Sequence, residues 1–209
     1  MTTLTSADLL TLSPVIPVVV LDDADRAVPL AQALLAGGIP VIEITLRTPA
    51  ALAAIAAVAE RVPDMVVGAG TVTSPAHVDK AVAAGARFLV SPGTTDALLD
   101  AMAGSGVPYL PGIATVSEAL RVLERGQQEM KLFPAEACGG RTFLQSLASP
   151  LPDARFCPTG GITPDTAPLY RALPNVGCVG GTWLTPAKLV AAADWAQITQ
   201  LAVDARREA

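Results

Sequence analysis

Short apolar runs rich in valine and isoleucine alternate with longer alanine- and leucine-rich segments along most of the chain. β-branched runs of this length are typical of buried strands, whereas the longer segments have the composition and length of helices. The pattern therefore predicts eight strands, at 15–21, 41–45, 65–70, 88–91, 108–111, 129–133, 155–158 and 176–179.

A helix is predicted after each of these strands, and glycines such as Gly85 and Gly126 mark helix ends. One helix ends at Leu35 after an acidic turn, and the others are predicted at 49–61, 74–84, 95–102, 116–125, 141–147 and 164–173. A short leading helix, Ser6–Leu12, has Ser6 as its predicted N-cap. The last segment, 186–207, is predicted as one or two helices, with a break near Asp194 or Trp195.

Eight strand–helix units in succession predict an α/β fold, a single (β/α)8 TIM barrel that occupies residues 1–209 as one domain. The barrel would be compact, since such barrels typically have ~250 residues. The alternative is an open doubly wound sheet of the dinucleotide-binding kind. It is disfavoured because no GxGxxG motif follows the first strand.

Composition narrows the class of protein further. Hydrophobic residues make up 51% of the chain and aromatic residues only 4%, so we expect an aliphatic core with strands buried on both faces. The formal net charge is -5 without a basic cluster, which argues against nucleic acid as a partner. Proline, glycine or charge interrupts every apolar run well before the ~20 residues of a membrane span.

Cysteine and histidine usage bears on location and cofactors. The cysteines Cys138, Cys157 and Cys178 are widely spaced and three in number, which indicates free thiols in a reducing cytosol. Residues 1–5 lack the charged and apolar regions of a signal peptide. The single histidine, His77, is expected to be a surface or packing residue, and an imidazole-based metal site is not expected.

One of the three lysines has unusual neighbours. Lys80 and Lys188 lie in segments with polar or helical character, whereas Lys131 lies between Met130 and Leu132 in a predicted buried strand. Burial favours the neutral amine over the ammonium, and a neutral amine in a dry pocket forms Schiff bases with ketones. The alternative is a structural lysine that either snorkels to the surface or is held by an ion pair.

Polar residues collect at the predicted carboxyl ends of the strands, where barrels carry their functional sites. Glu43 and Arg47 share strand parity, opposite to the isoleucines around them, so both are predicted to face the barrel interior with Lys131. Arg47 suits a substrate carboxylate, to which the Thr71 hydroxyl can also donate, and Glu43 suits a general acid and base. An ion network that merely closes the barrel is the alternative.

Two glycine-rich segments follow the seventh and eighth strands. Gly160 and Gly161 form the first, and Gly180, Gly181 and Thr182 form the second. Barrels commonly bind phosphate at this position through backbone N–H groups, although glycines also serve ordinary turns. Cys138 is either a reactive thiol or a small space-filling residue, and Trp183 and Trp195 are predicted to pack.

With these residues in place, the chain resembles the 2-keto-3-deoxy-6-phosphogluconate (KDPG) aldolases, a family that also cleaves 4-hydroxy-2-oxoglutarate (KHG). The resemblance runs from Pro14 to about Trp195. It is carried by EITLRT (43–48), VGAGTV (67–72), SPG (91–93), KLFPAE (131–136), FCPTGGI (156–162) and GGTWL (180–184).

The resemblance implies a class I aldolase without metal or other cofactor, usually trimeric, that acts on a small phosphorylated 2-oxo acid in the Entner–Doudoroff pathway. It implies Lys131 as the Schiff-base lysine, Glu43 as the general acid and base, and Arg47 and Thr71 as carboxylate ligands. The implied pocket and phosphate residues are Pro92, Phe133, Thr159, Gly160, Gly161, Gly181 and Thr182.

Two positions depart from the family pattern, because Thr182 stands where serine is common and Cys138 where a small polar residue is common. Three other functions remain open. They are an aldolase for an unphosphorylated or galactonate-type 2-oxo acid, a metal-dependent class II aldolase, which would need a missing histidine cluster, and a barrel that binds phosphate ligands without catalysis.

Overall fold

The computed structural model describes residues 4–207 of the chain. Residues 1–3, which belong to the stretch used for the signal-peptide prediction, lie outside the described residues, as do 208–209. The strands are β1 (Val15–Val19), β2 (Val41–Thr45), β3 (Val66–Gly70), β4 (Leu89–Val90), β5 (Tyr109–Leu110), β6 (Gly112–Ile113), β7 (Glu129–Leu132), β8 (Arg155–Pro158) and β9 (Val179–Gly181).

The helices mostly follow the strands and cover the sheet. They are α1 (Ser6–Leu9), α2 (Ala27–Ala36), α3 (Ala51–Arg61), α4 (Pro75–Ala83), α5 (Asp96–Gly104), α6 (Val116–Leu123), α7 (Gly140–Leu147), α8 (Ala167–Arg171), α9 (Ala187–Ala191) and α10 (Trp195–Arg207). Short 3-10 turns at Ala24–Arg26 and Glu136–Cys138 precede α2 and α7. Within the described part of the chain, no helix is both long enough and apolar enough to cross a bilayer.

The strands form a closed ring. One sheet has the order β5-β4-β3-β2-β1-β9 and the other has the order β6-β7-β8, and all neighbours are parallel. β5 and β6 are two halves of one barrel strand interrupted at Pro111, which has no N–H to donate. Parallel bridges from Phe156 to Val176 and from Thr159 to Gly180 join β8 to the segment that contains β9. The predicted (β/α)8 barrel is therefore confirmed.

Side-chain caps explain where several helices begin. Ser74 and Thr95 accept the N–H groups of His77 and Leu98, and Thr115 forms a capping box with Glu118 at the start of α6. Asp194 accepts the Gln197 N–H at the start of α10. The predicted break in the last helical segment is thus confirmed, with α9 before it and α10 after it.

Several boundary predictions were wrong, among them those of the leading helix and of the eighth strand. The leading helix is capped by Thr5, in a capping box with Asp8, because the hydroxyl of Ser6 donates instead to the Tyr109 carbonyl. The eighth strand spans Val179–Gly181 instead of the predicted 176–179, because the regular ladder with β1 starts only at Val179. Val176 makes only an isolated bridge with Phe156.

The core is aliphatic, as the composition predicted. Every residue of β1, β2 and β3 is buried, which fits strands covered by helices on one face and by the barrel interior on the other. Phe88 is one of the few large aromatic side chains inside, and a side chain at Gly68 would overlap its ring. Because glycine has no side chain, position 68 leaves room for the Phe88 ring.

Candidate functional site

A cleft of about 140 Å³ opens at the carboxyl ends of the strands. It lies where a barrel carries its functional groups, because the loops after the strands meet there. The cleft is lined by Val18, Arg47, Lys131, Phe133, Thr159, Gly160, Gly161, Ile162, Gly180, Gly181 and Thr182. The sequence prediction did not assign Val18 or Ile162 to the site, because apolar residues give no chemical signal.

Lys131 lies at the floor of this cleft and is only 3% exposed. It belongs to β7, where its backbone is in register with Gly112 on one side and Cys157 on the other. The amine Nζ is 3.3 Å from Glu43 Oε1 and 5.3 Å from the centre of the Phe133 ring. Lys80 and Lys188 are exposed, so Lys131 is the buried lysine that the sequence predicted.

Glu43 reaches Lys131 from the far side of the barrel interior. It lies on β2, is 3% exposed, and faces inward as strand parity predicted. Gly70 on β3 leaves room for the carboxylate, because a Cβ at that position would overlap Glu43 Oε1. The pair therefore depends on the absence of a side chain on the neighbouring strand.

Arg47 lies at the rim of the cleft rather than inside the barrel. β2 ends at Thr45, and the chain then turns, so strand parity no longer decides the direction of Arg47, which is exposed. Its Nε donates to Thr71 Oγ1 at 3.0 Å. The prediction that Arg47 faces the interior is wrong, although its side chain still lines the cleft above Lys131.

Thr71 has a backbone φ of 57°, a left-handed conformation that is costly for a β-branched residue. This conformation occurs directly after β3, and the Thr71 hydroxyl accepts the Arg47 hydrogen bond. Strain at such a position indicates a constraint from the surrounding structure. In this conformation the Thr71 hydroxyl pairs with Arg47 at the mouth of the cleft.

Pro92 is not among the described residues that line this cleft. Its backbone carbonyl group lies against Gly112, where an added Cβ would overlap it. Gly112 is the register neighbour of Lys131, so Pro92 sits one strand away from the lysine. Its predicted role in the pocket stays a prediction.

The two glycine-rich segments lie side by side at one end of the cleft. Thr159 and Gly180 form a parallel bridge, and the Thr159 hydroxyl occupies the space over Gly180. Gly160 and Gly161 have φ values of 105° and 81°, which glycine adopts without strain. Among residues 4–207, no protein group accepts from the N–H of either glycine, so both donors are available to an anion.

Two buried thiols lie below the site. Cys157 is the register neighbour of Lys131, and its Sγ is 3.9 Å from Thr159 Oγ1. The pKa of Cys178 is raised well above its ordinary value, mainly by a hydrogen bond with Cys157 and secondly by burial. The Cys178 thiol therefore stays protonated and behaves as a small apolar group.

The remaining predicted residues have packing or local roles. His77 lies in the first turn of α4, where its Nδ1 faces the Thr73 N–H and hydroxyl. Cys138, Trp183 and Trp195 are half-buried against the core. Among the described residues, no three histidine, cysteine, aspartate or glutamate side chains come together as a metal site requires.

Comparison with known proteins identifies the family of the chain. Residues 7–201 match the family model described as KDPG and KHG aldolase. The chain belongs to this family. The 2-dehydro-3-deoxy-phosphogluconate aldolase of Pseudoalteromonas atlantica is 50% identical over 200 residues, which cover 96% of this chain and 93% of that protein. The KHG/KDPG aldolase of Escherichia coli K12 is 49% identical over 202 residues, 96% of this chain and 95% of the relative.

Solved structures of the KDPG and KHG aldolase family agree with the barrel. The Legionella pneumophila KDPG aldolase superposes with a TM-score of 0.96 at 43% identity, over 98% of this chain and 100% of that one. That crystal structure holds pyruvate captured as a covalent carbinolamine. The Zymomonas mobilis ZM4 enzyme, crystallised with 3-phosphoglycerate, superposes with a TM-score of 0.92 at 44% identity, over 98% and 96% of the two chains.

Proposed function

We propose that the chain is a class I aldolase that cleaves KDPG reversibly to pyruvate and glyceraldehyde 3-phosphate through a Schiff base on Lys131. The observation that carries the proposal is the buried amine of Lys131, 3.3 Å from the Glu43 carboxylate at the floor of a cleft. Membership of the KDPG and KHG aldolase family supports the same activity. A buried lysine amine beside a carboxylate that can act as general acid and base is the arrangement that Schiff-base chemistry needs.

Two ends of the cleft suit the two anionic ends of KDPG. The guanidinium of Arg47, next to the Thr71 hydroxyl, can bind the carboxylate of the 2-oxo acid. The free N–H groups of Gly160 and Gly161, with Gly181 and the Thr182 hydroxyl across the cleft, can bind the phosphate. Phe133 and Thr159 line the space between these ends, and Pro92 is proposed as a nearby support.

The reaction begins when the Lys131 amine attacks the C2 ketone, and loss of water gives an iminium. Glu43, through a water molecule, takes the proton of the C4 hydroxyl. The C3–C4 bond then breaks, its electrons move into the iminium, and glyceraldehyde 3-phosphate leaves. Protonation of the resulting enamine at C3 and hydrolysis of the iminium release pyruvate and restore the lysine.

KHG is proposed as a second substrate, cleaved to pyruvate and glyoxylate. It presents the same 2-oxo acid to Lys131 and Arg47 but carries no phosphate, so it would leave the glycine-rich end of the cleft unused. The E. coli K12 relative, which is 49% identical, has a name that includes both substrates. A relative described as KDPGal, with a TM-score of 0.85, is only 27% identical, so a galactonate-type substrate is less well supported.

We further propose a homotrimer in the cytoplasm that acts in the Entner–Doudoroff pathway and requires no cofactor. The trimer predicts a solution mass three times the 21.3 kDa of one chain, measurable by light scattering. The lysine iminium supplies the electron sink that a metal provides in class II aldolases, so activity is expected to persist in EDTA. Loss of activity in EDTA would contradict the class I assignment.

A substrate panel tests the proposed function. Release of pyruvate is measured from KDPG, from its galactonate isomer and from KHG, with the native chain, Lys131→Met and the exposed-lysine control Lys80→Met. We expect the native chain and the control to cleave KDPG faster than the other two substrates. Lys131→Met is expected to be inactive on all three. A native chain that binds phosphate but releases no pyruvate from any substrate would instead support the non-catalytic barrel.

A further inference from the structure

Two loops at the phosphate end of the cleft are joined to each other. The lysine loop, residues 133–136, follows β7, and the glycine loop, residues 159–162, follows β8. The Ala135 N–H donates to the Thr159 carbonyl at 2.8 Å, and the Glu136 N–H donates to the Gly160 carbonyl at 3.1 Å. The position of the glycine loop, and of its free N–H groups, therefore depends on the position of Glu136.

The side chain of Glu136 also supports the glycine loop directly. A Cβ added to Gly161 would lie 2.7 Å from Glu136 Cγ and 2.8 Å from its Cβ. Gly161 thus rests on the aliphatic part of this glutamate, with no space for a side chain between them. Glu136 itself is exposed, so the surrounding core does not fix it.

A buried tyrosine fixes Glu136 instead. The hydroxyl of Tyr170 donates to Glu136 Oε1 at 2.5 Å, and Tyr170 belongs to α8 and is fully buried. The pKa of Tyr170 is raised, mainly by burial and secondly by the hydrogen bond to Glu136. The hydroxyl therefore keeps its proton and remains a donor. Gly140 leaves room for the pair, because a Cβ there would lie 2.7 Å from the Tyr170 oxygen.

We propose that Glu136 and Tyr170 are positioning residues that hold the glycine loop in the geometry required to bind the phosphate of the substrate. This inference rests on the proposed function and adds the source of its preference for phosphorylated substrates. The tyrosine transmits the rigidity of the core to an exposed loop through one charge-assisted hydrogen bond. Neither residue touches the substrate, since neither lines the cleft in the described chain.

The test uses four single variants of the full chain. Tyr170→Phe removes the donor, Glu136→Ala removes the acceptor, and Glu136→Gln keeps an acceptor oxygen for the tyrosine. Tyr109→Phe is the matched control, because it removes the hydroxyl of the other tyrosine, which lies on β5 away from the cleft. The measurements are KM for KDPG, calorimetric binding of inorganic phosphate, and borohydride trapping of pyruvate on Lys131.

We expect Tyr170→Phe and Glu136→Ala to raise KM for KDPG and weaken phosphate binding about tenfold, with pyruvate trapping unchanged. Glu136→Gln and Tyr109→Phe are expected to match the native chain. Equal losses of pyruvate trapping and phosphate binding would show a merely structural role, and unchanged phosphate binding in Glu136→Ala would also overturn the inference. If Tyr170→Phe does not fold, the two variants at the exposed Glu136 decide the question.

Failure of the proposed function is distinguishable from failure of this inference. If the proposed function is wrong, the native chain itself releases no pyruvate from KDPG, whatever the variants do. Phosphate binding does not depend on turnover, so its comparison among the variants still tests whether the pair of Glu136 and Tyr170 positions the glycine loop.

Discussion

Burial of the pair of Lys131 and Glu43 is costly for stability, which supports the chemical role proposed for it. Both side chains are about 3% exposed, and removing two charges from water costs several kcal/mol per ion before their attraction is counted. A barrel interior filled with branched apolar side chains would be at least as stable. An expensive pair at the floor of a cleft, rather than in the middle of the core, is best explained by a reaction.

Glu43→Gln tests the role of the carboxylate in proton transfer. The amide has nearly the same volume but cannot take the proton of the C4 hydroxyl, so we expect kcat for KDPG to fall by about 10²–10⁴-fold. The exposed Glu60→Gln on α3 is the control and is expected to keep the native kcat. An unchanged kcat in Glu43→Gln would exclude Glu43 as the general base.

Cys178 predicts a pH dependence of stability. Its pKa is raised above 9.0 in the native protein, so the native chain holds a proton that the unfolded chain releases as pH rises through about 9. The free energy of unfolding should therefore fall by up to ~1.4 kcal/mol per pH unit above that point. Urea denaturation between about pH 8 and pH 10 measures this slope.

In Cys178→Ala we expect a flatter dependence of the unfolding free energy on pH. The control is Cys138→Ala, which removes a half-buried thiol and leaves the buried pair of Cys157 and Cys178 intact. It should retain the native slope even if its absolute stability changes. Equal slopes for the native chain and Cys178→Ala would contradict the assignment.

At the scale of strands, glycines decide where the functional side chains fit. Gly70 on β3 leaves space for the Glu43 carboxylate, and Gly180 on β9 leaves space for the Thr159 hydroxyl. The sequence pointed to glycines at strand ends as phosphate ligands, but it did not predict Gly70 as a partner of Glu43. A glycine within a strand does not reveal which side chain on the neighbouring strand it faces.

Gly70→Ala tests this arrangement. The new methyl group would overlap Glu43 Oε1 and push the carboxylate away from Lys131, so we expect about a 10²-fold loss of kcat/KM. Gly104→Ala is the control, since a Cβ at the end of α5 meets no atom within 4 Å. If Gly70→Ala kept native activity, the distance between Glu43 and Lys131 would not matter for the reaction.

At the scale of the whole molecule, closure of the barrel brings together residues that are far apart in sequence. Glu43 and Lys131 are 88 positions apart yet share a hydrogen bond. Strand periodicity and parity were enough to predict the eight units and this pair, because both are repeated along regular strands. The assignment of residues 1–209 to a single domain stays a prediction.

The other features that the sequence did not predict lie in loops. Arg47 was assigned to the interior because parity was extended past the end of β2, where the chain turns. The contact of Glu136 with Tyr170 joins the turn after β7 to α8, and no periodic pattern connects these segments. Loop geometry depends on local hydrogen bonds and on positive φ angles such as that of Thr71, which its residue type does not favour.

A Schiff base on Lys131 can be trapped directly by reduction with borohydride in the presence of pyruvate, followed by peptide mapping by mass spectrometry. We predict one reduced pyruvate adduct per chain, on the peptide that contains Lys131, and no adduct in Lys131→Met. An adduct on Lys80 or Lys188, or no adduct on a folded and active chain, would contradict a Schiff base at the buried amine.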